Sequence, residues 1–182
     1  MAEHLKEIND IAQNIEVATF ENTIEALERS GKTLDKVANV FYNLLGSNTN
    51  DDLDSLAMKI SPKLSAHNDS ILLNEELFKR IEYLQSNKKE IELTTEQSRL
   101  LDETYKRFVR SGANLDQQSM KRLTEINSSL SSLSVQFDQN VLKETNSYSM
   151  IVDNQNDLEG LPQEEIRQAA LLAESEGHEG KW

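Results

Sequence analysis

The apolar positions of this chain recur at intervals of three and four residues along most of its length, as on the buried face of an amphipathic helix. Runs in which β-branched and polar residues alternate, which are typical of strands, are nearly absent. The pattern therefore predicts an all-α protein, an array of long antiparallel helices and helical hairpins. The predicted helices cover residues 3–16, 20–46, 51–71, 75–86, 95–111, 117–145 and 161–177.

Two of these predicted helices contain a residue that could divide them. Gly31, after Ser30, interrupts the apolar face of the 20–46 segment and marks either a kink or a short connection between two helices. Pro62 could open a new helix, since proline is common at the first helical position. The apolar face from Leu53 to Ile71 nevertheless stays in phase across Pro62, which favours one kinked helix.

The predicted helix starts carry residues whose side chains can accept a backbone N–H at the N-cap. Gly112 is expected to end the 95–111 helix in a left-handed conformation. The predicted N-caps are Thr19, Asn50 or Asp51, Asn74 and Asp116, and residues 94–96 (Thr-Thr-Glu) open the helix that ends at residue 111.

The longest predicted helix, residues 117–145, carries an apolar seam with alternating steps of three and four, as in a coiled coil. Because the connector before it is short, this helix is expected to pack antiparallel on the 95–111 helix. The seam consists of Met120, Leu123, Ile126, Leu130, Leu133, Phe137 and Val141.

Residues 147–152 form a strand-like run, for which the chain offers no partner strand. Such a strand would leave backbone donors and acceptors unsatisfied, and an aromatic residue at a chain end, Trp182, would gain little from burial. We therefore expect two regions, with a simple surface tail after residue 146 as the alternative. Residues 1–146 are a helical N-terminal lobe, and residues 147–182 are the start of a following region that is truncated at Trp182.

Composition excludes several functional classes. The 182 residues include 19 Lys+Arg and 32 Asp+Glu, a net charge of −13, which argues against a nucleic-acid partner. The absence of cysteine excludes disulfides, thiol chemistry and Cys-ligated metals. No apolar run approaches the roughly 20 residues that cross a bilayer. The expected location is cytoplasmic, with a periplasmic or exported protein as the alternative.

Histidine is a common metal ligand, and the chain has three. His4, beside Glu3, is expected on an exposed helix end. His67 lies on an apolar face near Asp69 and is expected to be a partly buried, satisfied histidine rather than a ligand.

The third histidine begins an incomplete zinc motif. His178 and Glu179 match the start of HExxH, but the second histidine would fall at position 182, which is Trp182. Both histidines are needed to reach one zinc ion, so the match fails. No nucleophile elbow or phosphate-binding glycine loop is present.

The remaining candidates favour structural roles. Residues 105–108 (YKRF) mix aromatic and cationic side chains, and in an acidic chain they indicate a packed aromatic face with exposed cations. We assign no catalytic or metal-binding residue, and substrate-binding residues stay unknown. Three acidic pairs are expected on solvated faces or helix starts: Glu75/Glu76, Glu90/Glu92 and Glu164/Glu165.

Four segments in this order resemble a known family. They are FENTI at 20–24 with Ala26 and Leu27; PKLSAH at 62–67 leading to Asn74, Leu77 and Phe78; YKRFVRSGANL at 105–115; and GKW at 180–182. Together they resemble the N-terminal region of a bacterial peptidyl-dipeptidase, in the thimet oligopeptidase and oligopeptidase A family of zinc metallopeptidases. The 105–115 run is the most specific, and the resemblance extends over residues 11–182.

The resemblance implies a helical lobe beside a deep channel that admits short peptides, whose C-terminal dipeptides are removed. It also implies that zinc is held by an HExxH helix and a later glutamate in the C-terminal part of the full-length parent. No catalytic residue carries over to this chain, which is expected to be a non-catalytic channel wall, inactive alone and without a cofactor of its own. Its expected partners are the missing C-terminal catalytic region and short peptide substrates.

A second hypothesis belongs to a different class. The chain could be a self-sufficient helical protein-binding or adaptor domain that uses the 94–145 helical hairpin as a docking surface. An in-frame HExxH beyond residue 182 would favour the peptidase, whereas a stop codon would favour the adaptor. The peptidase hypothesis also predicts an exposed apolar patch larger than a few hundred Å².

Overall fold

The computed structural model describes all 182 residues and consists of helices joined by irregular connections, without a β-strand. The all-α prediction is therefore confirmed. No helix combines the length and apolar character needed to span a bilayer. The helices are α1 (Ala2–Ala12), a π-helix (Phe20–Glu25), α2 (Ala26–Arg29), α3 (Lys32–Ser47), α4 (Asp51–Leu72), α5 (Glu75–Ser86), α6 (Thr95–Arg110), α7 (Gln117–Ser147) and α8 (Gln163–Ser175), with 3₁₀ turns at Lys88–Glu90 and Gln155–Leu158.

The helix starts follow the predicted capping pattern. The side chain of each cap accepts the backbone N–H of the residue three positions later, which satisfies one of the donors left free at a helix start. The confirmed caps are Thr19, Asn50, Asn74 and Asp116, together with Thr94 before α6.

The two ambiguous interruptions differ in outcome. Gly31 adopts φ +72° and separates α2 from α3, so the feature at residues 30–31 is a connection between two helices. Pro62 lies inside α4, which is one continuous helix as favoured by its apolar face. In α1 the helix ends at Ala12 rather than at residue 16, because Arg80 binds the backbone carbonyls of Asn14 and Glu16.

The chain divides into two compact units, Met1–Gln139 and Asn140–Trp182. In the first, α1, the π-helix, α5 and α6 enclose the core, whose innermost side chains include Ile8, Ile24, Leu77, Ile81, Leu84, Leu101 and Phe108. Phe78 stacks on Tyr105 and Phe108, with ring centroids 5.8 and 6.2 Å apart. The predicted packed aromatic face of residues 105–108 is thus confirmed, with Lys106 and Arg107 exposed.

The predicted antiparallel pairing of α6 and α7 is not among the main helix contacts and stays a prediction. The apolar face of α6 packs on α5 and the π-helix, while α7 has no buried residue. Within the first unit α7 contacts α4: Asn127 Nδ2 donates to Asp69 Oδ1 at 2.7 Å, and Gln139 Nε2 donates to the Asp54 carbonyl at 3.2 Å. The seam of α7 faces solvent along much of its length.

The strand-like prediction for residues 147–152 is also wrong. Helix α7 continues through Ser147, and the residues after it have no regular structure. The backbone of Val152 nevertheless has a partner. Its N–H donates to the Trp182 carbonyl at 2.7 Å, and the Trp182 N–H donates back at 3.1 Å. In this second unit Leu158 and Ala173 are buried, and Lys181 lies 2.7 Å from Asp153.

Candidate functional site

Two of the candidate histidines, 63 residues apart in sequence, meet in the first unit. Nε2 of His67 on α4 lies 3.0 Å from Nδ1 of His4 on α1, and the ring centroids are 4.9 Å apart. His67 is buried, as expected from its place on an apolar face. His4 is half-buried rather than exposed, because α1 packs against α4 and brings its first turn onto His67.

The hydrogen bonds around this pair determine which ring nitrogens carry protons. Ser30 Oγ donates its one proton to the Leu27 carbonyl at 2.7 Å, so His4 Nε2, at 3.2 Å, must be the donor to Ser30. A neutral His4 then accepts at Nδ1, and His67 Nε2–H donates to it. The bonds between His67, His4 and Ser30 can therefore all form with both imidazoles neutral.

One atom of the pair has no partner. His67 Nδ1 is buried without a hydrogen bond, and so is Oδ2 of Asp69, whose Oδ1 accepts from Asn127. Burial lowers the pKa of His67, and the positive charges of His4 and of the Met1 amine lower it further. The charged form of His67 is therefore disfavoured by desolvation first and by like charge second.

Two cavities adjoin His4 on either side. The first, of about 250 Å³, is lined by apolar side chains and by polar and charged ones, namely His4, Glu28, Ser30, Asp35, Asn68, Thr104 and Arg107. The second, of about 240 Å³, is bordered by α1 and by the start of α3. Between them Gly31 N–H donates to Glu7 Oε2 at 2.7 Å, which ties the connection at residues 30–31 to α1.

The FENTI segment forms a second polar cluster, which holds the framework together. Asn22 Oδ1 accepts from Thr19 N–H, Thr23 Oγ1 and Arg80 Nη2, each at 2.8 Å, and Asn22 Nδ2 donates to the Val17 carbonyl at 3.0 Å. Every polar atom of the Asn22 amide except one N–H is thereby engaged. Sequence reasoning identified Thr19 as a cap but missed Arg80, which reaches this segment across 58 residues.

The remaining candidates stay apart from one another. Glu164 lies in the first turn of α8, where hydrogen bonds from Arg167 and then Gln168 lower its pKa. The other members of the acidic pairs are exposed, as are most side chains near His178. No three side chains of the metal-ligating types come together, and the His4–His67 pair has no third ligand. The residues of this chain therefore do not fit a zinc ion.

Comparison with known proteins gives a consistent set of relatives, although no family model matches the chain. Dipeptidyl carboxypeptidase of Escherichia coli (strain K12) is 35% identical over 100% of this chain and 27% of its own length. Oligopeptidase A of Escherichia coli (strain K12) is 27% identical over 96% of the chain and 27% of its own length. Thimet-like oligopeptidase of Dictyostelium discoideum is 26% identical over 89% of the chain and 24% of its own length. The chain spans about a quarter of the length of these curated relatives.

Proposed function

This chain belongs to the peptidyl-dipeptidase and oligopeptidase A family, and we propose that it is a non-catalytic helical segment of such a peptidase. The observation that carries the proposal is 35% identity along the whole chain to a relative almost four times as long. In the proposed role the segment helps to wall a channel that admits short peptides, and hydrolysis is carried out by residues outside these 182 positions.

The exposed apolar side chains of α7 support the proposal that the segment packs against further protein. Leu130, Leu133 and Phe137 lie on one face of α7 and expose 55%, 58% and 67% of their area. Burying such side chains is worth about 1.5–3 kcal/mol each, which is a strong drive toward a covering surface. We propose that the missing catalytic region of the same polypeptide supplies part of that cover.

Zinc enters the proposal only through the parent protein. The chain holds no HExxH motif and no cluster of three metal-ligating side chains, so no catalytic step is assigned to its own residues.

We also propose that residues 1–146 and 147–182 belong to successive regions of the parent. A cytoplasmic location is proposed as well. It is supported by the name of one relative, the probable cytosolic oligopeptidase A of Arabidopsis thaliana, and cell fractionation would test it.

Peptide hydrolysis tests the non-catalytic role. The purified chain should release no dipeptide from blocked tri- to hexapeptides in the presence of added zinc, because no side-chain set can hold the ion and activate water. A full-length dipeptidyl carboxypeptidase serves as the positive control under the same conditions. Turnover by the chain that a chelator abolishes, and that added zinc restores, would overturn the proposal.

A further inference from the structure

We propose that the His4–His67 pair is a pH-sensitive latch, which docks α1 on α4 near neutral pH and releases it when both imidazoles become charged. The inference is independent of the proposed peptidase role, since it concerns only contacts inside the first unit. It starts from the 3.0 Å separation of His67 Nε2 and His4 Nδ1 and from the burial of His67.

The hydrogen-bond chain tolerates one additional proton but not two. With both rings neutral, His67 donates a hydrogen bond to His4, His4 donates to Ser30, and Ser30 donates to the Leu27 carbonyl. One added proton can be taken up by the free Nδ1 atom of His67, and the proton already between the two rings keeps the N···N bond. When both rings are charged, each of the two facing nitrogens carries a proton, so the bond becomes a repulsive contact between like charges in a buried place.

The latch is the side-chain hydrogen bond that joins the first turn of α1 to α4, and it lies where α1 also contacts the connection before α3. Gly31 N–H donates to Glu7 Oε2, and an added Cβ at Gly31 would lie 2.6–2.9 Å from three atoms of the His4 ring. The ring is thus confined between His67, Ser30 and Gly31. Losing the bond to His67 therefore weakens the docking of α1 on α4.

The surrounding charges do not cancel this effect. The charged groups that line the two cavities beside His4 are the carboxylates of Glu3, Glu7, Glu28 and Asp35, the Met1 amine and Arg107. The positive charges of His4 and of the Met1 amine oppose a proton on His67. Asp69, on the same helix as His67, accepts a hydrogen bond from Asn127.

The direction of the pH dependence follows from proton binding. The pKa of His67 is lowered in the folded chain, so the unfolded or undocked chain binds more protons once the pH falls below about 6.5. Stability of the docked state therefore rises with pH in this range. It is fully present above about pH 6.5 and is lost progressively as the pH falls toward the lowered pKa.

Amide hydrogen exchange measures the release directly. Protection factors of the α1 amides, including those of the buried Ile8 and Ile11, should fall between pH 7.5 and pH 5. The expected loss is about tenfold for each unit by which the pKa of His67 lies below its usual value. Protection factors of α8 in the second unit should stay constant and provide the internal reference.

Variants separate the latch from a general effect of acid. His67→Gln places a donating amide near the former Nε2 atom without a titrating group, so α1 protection should change less than about twofold over the same pH range. His178→Gln, which removes the third histidine, is the matched control and should leave the pH response intact. If His67→Gln fails to fold, His4→Asn tests the same contact from its other side.

Two results would overturn the latch. The first is unchanged α1 protection in the natural chain at pH 5, and the second is an equal loss in His67→Gln. Nitrogen-15 spectra add a check that does not depend on a variant, because the chain has three histidines. At pH 7.5 both rings of the pair should be protonated at Nε2, and a proton on Nδ1 of either ring would contradict the proposed chain of bonds.

Discussion

Replacing Gly31 by alanine should destabilise the first unit, whereas the same substitution at Gly46 should stabilise it. Gly31 lies at the start of α3 with φ +72°, in the left-handed region that residues with a Cβ atom adopt at a cost of about 1–2 kcal/mol. Gly46 lies in the last turn of α3 with no atom within 4 Å of an added Cβ. The two positions therefore test conformation and space with one chemical change.

The size of the Gly31 effect also depends on His4. An added Cβ would lie 2.6 Å from Cε1, 2.7 Å from Nδ1 and 2.9 Å from Nε2 of that ring, so the ring must move. Moving it breaks its hydrogen bonds to His67 and Ser30, each worth about 0.5–1.5 kcal/mol. Together with the backbone strain, Gly31→Ala should cost about 2–5 kcal/mol. Gly46→Ala should gain about 0.5–1 kcal/mol, the difference between glycine and alanine in a helix.

Urea unfolding followed by far-UV circular dichroism at pH 7.5 measures both changes in the free energy of unfolding. A double-mutant cycle separates the two causes, because Gly31→Ala in a His4→Ala background should cost only the strain of about 1–2 kcal/mol. Equal effects at positions 31 and 46 would refute the conformational argument. An undiminished cost of Gly31→Ala in the His4→Ala background would refute the steric one.

Three further substitutions test other parts of the structure. Asn22→Ala should lower the free energy of unfolding by about 2–4 kcal/mol, because Arg80 Nη2 and two further donors lose Asn22 Oδ1 as their acceptor. Urea unfolding measures this change, and a loss below about 0.5 kcal/mol would contradict the stabilising role of the Asn22 cluster. Phe137→Glu should change the free energy of unfolding by less than about 0.5 kcal/mol, because the Phe137 side chain is 67% exposed; urea unfolding measures the change, and a loss above about 1 kcal/mol would contradict the exposed position. Hydrogen bonds from Lys88 and then Gln85 lower the pKa of Asp102, so the ionised carboxylate stabilises the fold above about pH 4 and this stabilisation is lost at lower pH. Asp102→Asn should therefore reduce the fall in the free energy of unfolding below pH 4, and an unchanged fall in the variant would contradict the assignment.

Local features of the helices could be predicted from the sequence because their causes lie within a few residues. The caps at Thr19, Asn50 and Asn74 are examples, since each side chain binds a backbone N–H three positions away. The continuity of α4 through Pro62 could likewise be inferred from the phase of its apolar face. Such inferences need only helical periodicity and hydrogen-bonding capacity.

Features that depend on distant partners were missed or misassigned. The early end of α1 requires Arg80, and the fit of His4 against His67 requires contact across 63 residues; neither leaves a local signal. The seam of α7 predicted the correct helix but not its exposure to solvent, because periodicity identifies an apolar face without identifying what covers it. For the same reason no candidate site could be assembled before α1 and α4 were seen together.

The backbone pairing of Val152 with Trp182 has a practical consequence for spectroscopy. Trp182 is the only tryptophan of the chain, and it belongs to the unit formed by Asn140–Trp182. Its emission is therefore a built-in optical reporter for that unit alone, while circular dichroism is dominated by the helices of Met1–Gln139. Denaturation curves from the two signals will coincide only if both units unfold in one cooperative step, and any separation between them measures the independence of the two units.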